Sequence, residues 1–335
     1  MSPPRPILRP CERVTIATPA GRAAAGLHGW PDGTFGHVRS PAGTVVFAPD
    51  GPRTVRHVLR DGVPDTVVPG EPVVIQDLPP LVDHAAGGPC LRDASTGSVV
   101  LIYHGEVHRH GEPTEFWSYL GLAVSDDEGR TFRHAGAVAE PSVGLGRWLD
   151  GGHRSVDVGG GGCVVRDGEL WVHHMDRSAE PGLNLAVMRA PLADVVAAGA
   201  AGPGPAWERL RGADGVALDL LPPSAWEHGI WWFDVARHAP SGGTLLVYSN
   251  LTHGRWSVRA AWSADGRGFD EPVEVLAPPA GSELLYVTLS SGDPAHQREL
   301  GDERVELYTV SSGTGGFGRW VDAVVERVSC ELVVP

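Results

Sequence analysis

Long apolar runs are absent from this sequence. No stretch of 18 apolar residues occurs, so no segment reads as a membrane-spanning helix. The opening residues MSPPRPILRPCERVTIATPAG carry no apolar core of the kind a signal peptide needs, and residues 1–12 read as a disordered lead-in. Cysteine is sparse. Cys11, Cys90, Cys163 and Cys330 stand far apart, and without a C-x-x-C pair neither a zinc ribbon nor a dithiol redox motif is available. Free thiols and the missing leader together predict a cytoplasmic protein. Positive charge is in deficit, with 27 Lys and Arg against 41 Asp and Glu and a net charge of -14. A chain of that sign matches a phosphate backbone poorly, which argues against nucleic acid as a partner. The run Gly159–Gly162 is not followed by Lys-Ser or Lys-Thr, so it is no phosphate-binding loop, and no G-x-S-x-G elbow offers a serine nucleophile. Methionine numbers only 3, and helical character is confined to APLADVVAAGAAG, residues 190–202.

Glycine (45) and proline (29) are abundant, a composition that favours many short strands joined by tight turns. Five times an apolar stretch meets a polar turn and is followed by a strand rich in Val, Leu and aromatics. The turns are SPAG (40–43), RDASTG (92–97), RDGE (166–169), PSGG (240–243) and ELGDE (299–303). The strands after them are 44–50, 99–106, 170–176, 244–250 and 305–312, and third strands follow at 54–62, 119–129, 183–191, 256–266 and 319–328. Weaker fourth strands stand at 134–141 and 270–278. Four-stranded units in tandem are the pattern of a β-propeller. We therefore expect one all-β domain over 1–335, a five-bladed β-propeller of four-stranded antiparallel blades at roughly 20–75, 80–141, 153–212, 225–278 and 282–335. RVTIATP (13–19) would complete the last blade. A double β-sandwich or jelly roll is the alternative, although its strands would not repeat in this order. SDDEGRTF (125–132) fits the Asp-box S-x-D-x-G-x-T-F and SADGRGF (263–269) is a degenerate copy; both read as turns in which a side chain caps backbone amides.

The carboxylates follow the same repeat. Asp32, Asp83 and Asp157 each stand eight or nine residues before a unit's first turn, Glu227 stands at a similar place in the fourth unit, and Glu283 in the fifth. Asp50, Glu106 and Asp176 end the second strands, with His104, His173, His174 and Asn250 at or beside the equivalent positions. Any one such acid commonly caps a turn. A ring of them facing one axial pocket would repel one another, an arrangement retained for acid/base work or for metal binding. The 11 tryptophans either fill the gaps between sheets or floor a sugar pocket.

On these segments the chain resembles the five-bladed propeller glycoside hydrolases of the arabinanase, β-xylosidase and α-L-arabinofuranosidase type, and more distantly the invertase type. WPDGTFGHVRSPAGTVVFAP (30–49) is similar to the segment of the general base, SVDVGGGGCVVRDGELWVHH (155–174) to that of the tuning carboxylate, and WEHGIWWFDVARHAPSGGTLLVYS (226–249) to that of the general acid. VDHAAGGPCLRDASTG (82–97) is a rival for the first. The resemblance implies that Glu227 protonates the leaving oxygen, that Asp32 or Asp83 activates water, and that Asp157 tunes Glu227, with inversion at the sugar carbon. His84, His104, Glu106, Arg154, His174, Asp176 and Asn250 are candidates for gripping sugar hydroxyls, and Trp30, Trp226 and Trp231 for stacking on a ring. The expected partner is a carbohydrate or small glycoside, with no cofactor, no nucleic acid and no membrane; the oligomeric state stays open. Two other functions remain: a propeller that binds glycans without cutting them, and a metal-dependent hydrolase or lyase. The latter would use YHGEVHRHGE (103–112), where His104, Glu106, His108, His110 and Glu112 alternate along a strand and could ligate a divalent cation. A sialidase would need an arginine cluster, toward which only Arg154 is well placed.

Overall fold

The structure, a computed structural model, describes residues 6–333 apart from 61, 63, 110, 111, 113, 152–154, 179–182, 200–203, 215, 216, 223–229, 231, 253, 294, 296, 302, 303 and 314–321. It is mostly β, as the turn-rich composition predicts.

The chain opens with β1 (Ile7–Ala17) and α1 (Pro19–Ala24), then runs through five antiparallel meanders. The first holds β2 (Gly36–Ser40), β3 (Gly43–Asp50), β4 (Arg53–Leu59) and the short β5 (Glu71–Pro72). After β6 (Val74–Gln76), the second holds β7 (His84–Arg92), β8 (Val99–His108), β9 (Phe116–Ser125) and β10 (Thr131–Ala139). α2 (Leu145–Leu149) leads to the third: β11 (Val158–Arg166), β12 (Glu169–Asp176), β13 (Leu183–Pro191), α3 (Leu192–Ala198) and β14 (Glu208–Arg209). The fourth holds β15 (Trp232–His238), β16 (Thr244–Thr252), β17 (Arg255–Ser263) and β18 (Val273–Leu276). The last holds β19 (Ser282–Ser290), β21 (Arg304–Gly313) and β22 (Val324–Val333), with β20 (Glu299–Leu300) lying beside β15 instead. By hydrogen bonding the first two meanders form one sheet, joined where Arg53 faces Ala85 in a parallel pairing of β4 with β7.

Local sequence explains the meanders. Asp167 and Gly168 sit at φ of 50° and 79°, the two positive values that a tight β11–β12 hairpin of right-handed twist requires. Both Asp-boxes form. Asp127 Oδ1 accepts from the amides of Arg130 (3.0 Å) and Thr131 (2.9 Å), and Asp265 Oδ1 accepts from the amide of Arg267 (2.8 Å).

The core is divided among the gaps between neighbouring meanders. Val45 and Phe47 meet Leu101 and Tyr119, Ile102 and Leu120 meet Val158 and Val172, and Val164 and Leu185 meet Phe233 and Leu246. Val247 and Val258 meet Val287 and Leu307, and Tyr308 and Val325 return to Phe35 and Val46. Each fully buried side chain of this kind contributes about 1.5–3 kcal/mol. The first strands of the meanders line up around a common axis: β2 packs on β7, β7 on β11, β11 on β15 and β15 on β19. The circle closes where the Phe35 amide donates to Thr288 Oγ1 (3.1 Å) and His37 Nε2 meets Ser290 Oγ (3.0 Å). The glycine run allows this crowding: a Cβ on Gly160, whose φ is 103°, would lie 2.5 Å from the Phe233 ring.

Two expectations need correction. Residues 7–12 are not a disordered lead-in; they begin β1, which pairs antiparallel with β22 along its length. Helix is not confined to 190–202 either, because α1 and α2 form as well, α1 capped by Thr18 Oγ1 accepting from the Gly21 amide.

Candidate active site

Where the first strands begin, the axis opens into a cavity of about 330 Å³. Asp32 reaches it from the loop before β2, His84 from the start of β7, His104 and Glu106 from β8, Asp157 from the residue before β11, and Tyr286 from β19.

Asp32 is fixed through its backbone, whose amide donates to Pro49 O (2.9 Å). Its Oδ1 accepts from the Tyr286 hydroxyl at 2.9 Å. Burial raises this carboxyl to a pKa of about 6, and the charges of Glu106 and Asp50 add to the rise, while Tyr286 and His104 oppose it. Asp157 Oδ1 accepts from Ser118 Oγ (3.1 Å) and lies 3.8 Å from His104 Nε2, and its Oδ2 lies 3.7 Å from Arg177 Nη1.

Between the two stands a histidine–carboxylate chain. His104 Nδ1 is 3.1 Å from Glu106 Oε1, His108 Nε2 is 2.9 Å from Glu106 Oε2, and His84 Nδ1 is 3.9 Å away. Burial alone would push Glu106 up. The bond to His104 and the charges of His104, His84 and His108 overcome it and hold Glu106 down at about 2. Burial likewise opposes charge on His104, but Glu106, Asp157 and Asp32 outweigh it and raise the imidazole above its usual value. His84 is lowered by burial. Among the described residues no group of three or more His, Cys, Asp or Glu side chains is disposed to hold a metal ion. His104 and His108 aim their nitrogens at Glu106 itself.

The structure brings together Asp32, Asp157, His84, His104 and Glu106 of the residues expected from sequence. It leaves Asp83 outside the cavity lining; that carboxylate is half exposed and holds His108 Nδ1 at 2.8 Å. His174 and Asp176 are also absent from the lining. In β12 it is Met175 that reaches the cavity, so its neighbours alternate onto the other face; in β8 the matching pair, His104 and Glu106, is on the cavity side. Asp176 instead closes the turn after β12, accepting from the Ser178 amide (3.0 Å) and hydroxyl (2.6 Å). His174 is sealed in the interior, where burial lowers its pKa to about 3. Asn250 is buried in β16 away from the cavity, and Trp30 is a core residue against Phe35. Asp50 caps a loop, its Oδ1 accepting from the amides of His28 (2.8 Å) and Gly29 (2.7 Å). Arg154, Trp226, Glu227, Trp231 and His110 lie outside the described residues.

Sequence reasoning missed Tyr286, Trp232, Phe116 and Arg177, all of which line the cavity. Trp232 and Tyr286 meet edge to face with centroids 4.5 Å apart. Arg177 directly follows a strand-end acid and could have been found by its place; Tyr286 sits in the apolar run Leu284–Val287 and gave no sign.

No family model matches the chain, and no curated protein does. Solved structures do. The catalytic domain of an α-L-arabinofuranosidase of family GH62 from Coprinopsis cinerea is 12% identical with a TM-score of 0.57, the match covering 98% of both chains. A family 117 glycoside hydrolase from Zobellia galactanivorans is 11% identical with a TM-score of 0.56, covering 97% of this chain and 91% of the other. An α-L-arabinanase from Penicillium chrysogenum, complexed with arabinobiose, is 12% identical with a TM-score of 0.50 over 99% of each chain. This chain thus shares the fold of glycoside hydrolases of the arabinofuranosidase and arabinanase type.

Proposed function

We propose that the five meanders are the blades of a five-bladed β-propeller and that the protein is a glycoside hydrolase cleaving a small carbohydrate or glycoside with paired carboxyl groups. The observation that carries this reading is the convergence of Asp32 and Asp157, from the first and third meanders, on one axial cavity, with Asp32 at a pKa of about 6. The shared fold supports the same chemistry.

In this scheme Asp32 is the general base. Burial lifts its proton affinity into the range where a carboxylate takes a proton from water near neutral pH, and the Tyr286 hydroxyl holds it in place. Asp157, braced by Ser118 and Arg177, orients the sugar and raises the proton affinity of the acid. The acid is Glu227, which enters from the sequence, five residues before the cavity-lining Trp232. It protonates the leaving oxygen while the activated water attacks the opposite face of the ring. The resemblance to the arabinanase type makes inversion the expected outcome, which needs the two reacting carboxyls about 6.5–9.5 Å apart. His84, His104 and Glu106 bind hydroxyls, and Trp232 and Phe116 supply apolar faces for the ring.

The test is hydrolysis of a panel of aryl pentosides and hexosides, with the first-formed anomer read by proton NMR. Asp32→Asn and Glu227→Gln should each lower kcat by at least about 100-fold, the scale of general acid–base catalysis. Failure of every glycoside, or full activity in both variants, would reject the assignment.

A further inference from the structure

The opposite end of the axis carries a second cavity, of about 430 Å³, and its chemistry is the reverse of the first. Acids stand where the first strands begin. Arginines stand where they end: Arg39 on β2, Arg92 on β7, Arg166 on β11 and Arg237 on β15. Of these, Arg39, Arg92 and Arg237 line the cavity, so in a chain of net charge -14 the repeat gathers cations at one mouth. Of the residues lining the cavity, Arg92 is neutralised by both oxygens of Glu128 (2.7 Å each) and Arg298 by Asp234. Arg237 has only a loose pairing with Glu299 at 3.9 Å, and the Arg39 guanidinium has no partner among the described residues. Asp93 also lines the cavity but pairs with none of these arginines among the described residues; its Oδ2 accepts from Ser95 Oγ (2.6 Å), the Thr96 amide (2.8 Å) and Thr96 Oγ1 (2.7 Å).

Beneath this rim the walls are apolar. Leu91, Val164, Val165 and Leu192 line them, and at the bottom lie the Cys90 and Cys163 side chains, each 1% exposed. Burial raises the pKa of both, Cys163 to about 11, so the floor is uncharged thiol. Arg298, 7% exposed, also lines the floor, and its Nε has no acceptor among the described residues. The Asp234–Arg298 pair stands between the two cavities: Phe233 lines the first and Arg298 the second. A cavity of this size, apolar within and cationic at the lip, suits an amphipathic ligand of drug-like dimensions.

We propose that this second cavity binds a small organic anion, a carboxylate or a phosphate monoester, whose apolar body rests against Leu91, Val164 and Leu192 and whose charge meets Arg39 and Arg237. The site is distinct from the proposed catalytic one and does not depend on it.

The test uses the full chain and four probes: phenyl phosphate, benzoate, inorganic phosphate and the neutral benzyl alcohol. The readout is isothermal titration calorimetry of each probe into the protein. Phenyl phosphate or benzoate should bind saturably; which of the two binds tighter identifies the anionic group. The double variant Arg39→Gln/Arg237→Gln, which alters only rim side chains, should weaken this binding by about tenfold or more. Ala94→Trp, which narrows the mouth without removing a charge, should weaken it also. No binding of either organic anion, equal binding of benzyl alcohol or inorganic phosphate, or undiminished binding in the folded double variant would each overturn the proposal.

Discussion

Tyr286→Phe isolates the group on which the mechanism turns. The phenol donates to Asp32 Oδ1 at 2.9 Å and thereby favours the charged carboxylate, working against a burial that has already raised the pKa to about 6. The ring stays in place against Trp232, so packing is retained. A hydrogen bond to a charged group is worth about 1.5–3 kcal/mol, and one pKa unit is 1.36 kcal/mol, so losing it should raise Asp32 by roughly 1–2 units. As base, Asp32 must be ionised. The acidic limb of kcat/KM should therefore move from near pH 6 to about 7–8, with the rate at pH 6 falling about five- to fiftyfold and the rate above the shifted limb nearly unchanged. The assay is a pH profile of aryl glycoside hydrolysis for both proteins. A loss of rate that is uniform across pH, or a limb that stays or moves down, would refute the assignment of Asp32 as base, since a merely structural loss moves no titration.

Three other changes follow from the geometry. Glu106 is held near 2 in the folded chain, below its unfolded value, so its stabilisation is complete above about pH 4.5 and fades as pH falls toward 2; Glu106→Gln should lower Tm at neutral pH and flatten its fall between those limits. His173, sealed in the interior and lowered by burial to about 3, is neutral when folded but takes up a proton when unfolded below about pH 6.5; stability must decline as pH drops from there, and His173→Leu should make the Tm–pH slope shallower in that interval. Gly160→Ala forces a Cβ to within 2.5 Å of Phe233 at a φ of 103°, and chemical denaturation should show a loss of about 1–3 kcal/mol.

The repeat was legible because each unit is a hairpin chain with its own turn chemistry: Ser40 to Gly43, Asp167-Gly168 and the Asp-box at 125–132 announce their turns from local residues alone. The acids at strand starts were legible for the same reason, and Asp32, Asp157 and His84 do meet in the cavity. The strand ends were not. His104 and Glu106 face the cavity while His174 and Asp176 do not, although all four occupy matching places in the repeat and pair in the same register, His84 with Glu106 and Val158 with Asp176; Met175 reaches the cavity in their stead, and which face of a strand turns inward is set by packing across the axis, which no local residue announces. Asp83 was misleading in another way: its spacing is that of Asp157, yet it leans outward to His108. Tyr286 carries no local signature, since a tyrosine among apolar residues looks like packing until the partner across the axis, Asp32, is known.

The pairing of β1 with β22 has a kinetic side. Ile7 faces Val333 and Ala17 faces Val325, so the final sheet is stitched from strands far apart in sequence. During synthesis β1 must wait, its ladder groups unsatisfied, until nearly all later residues have left the ribosome, and only then can the molecule lock shut. Contacts of such sequence separation are slow to form and costly in chain entropy. β1, made well before its partner, is thus among the last strands of this domain to find its place, and a nascent chain stalled before β22 carries an open edge ready to capture a neighbour.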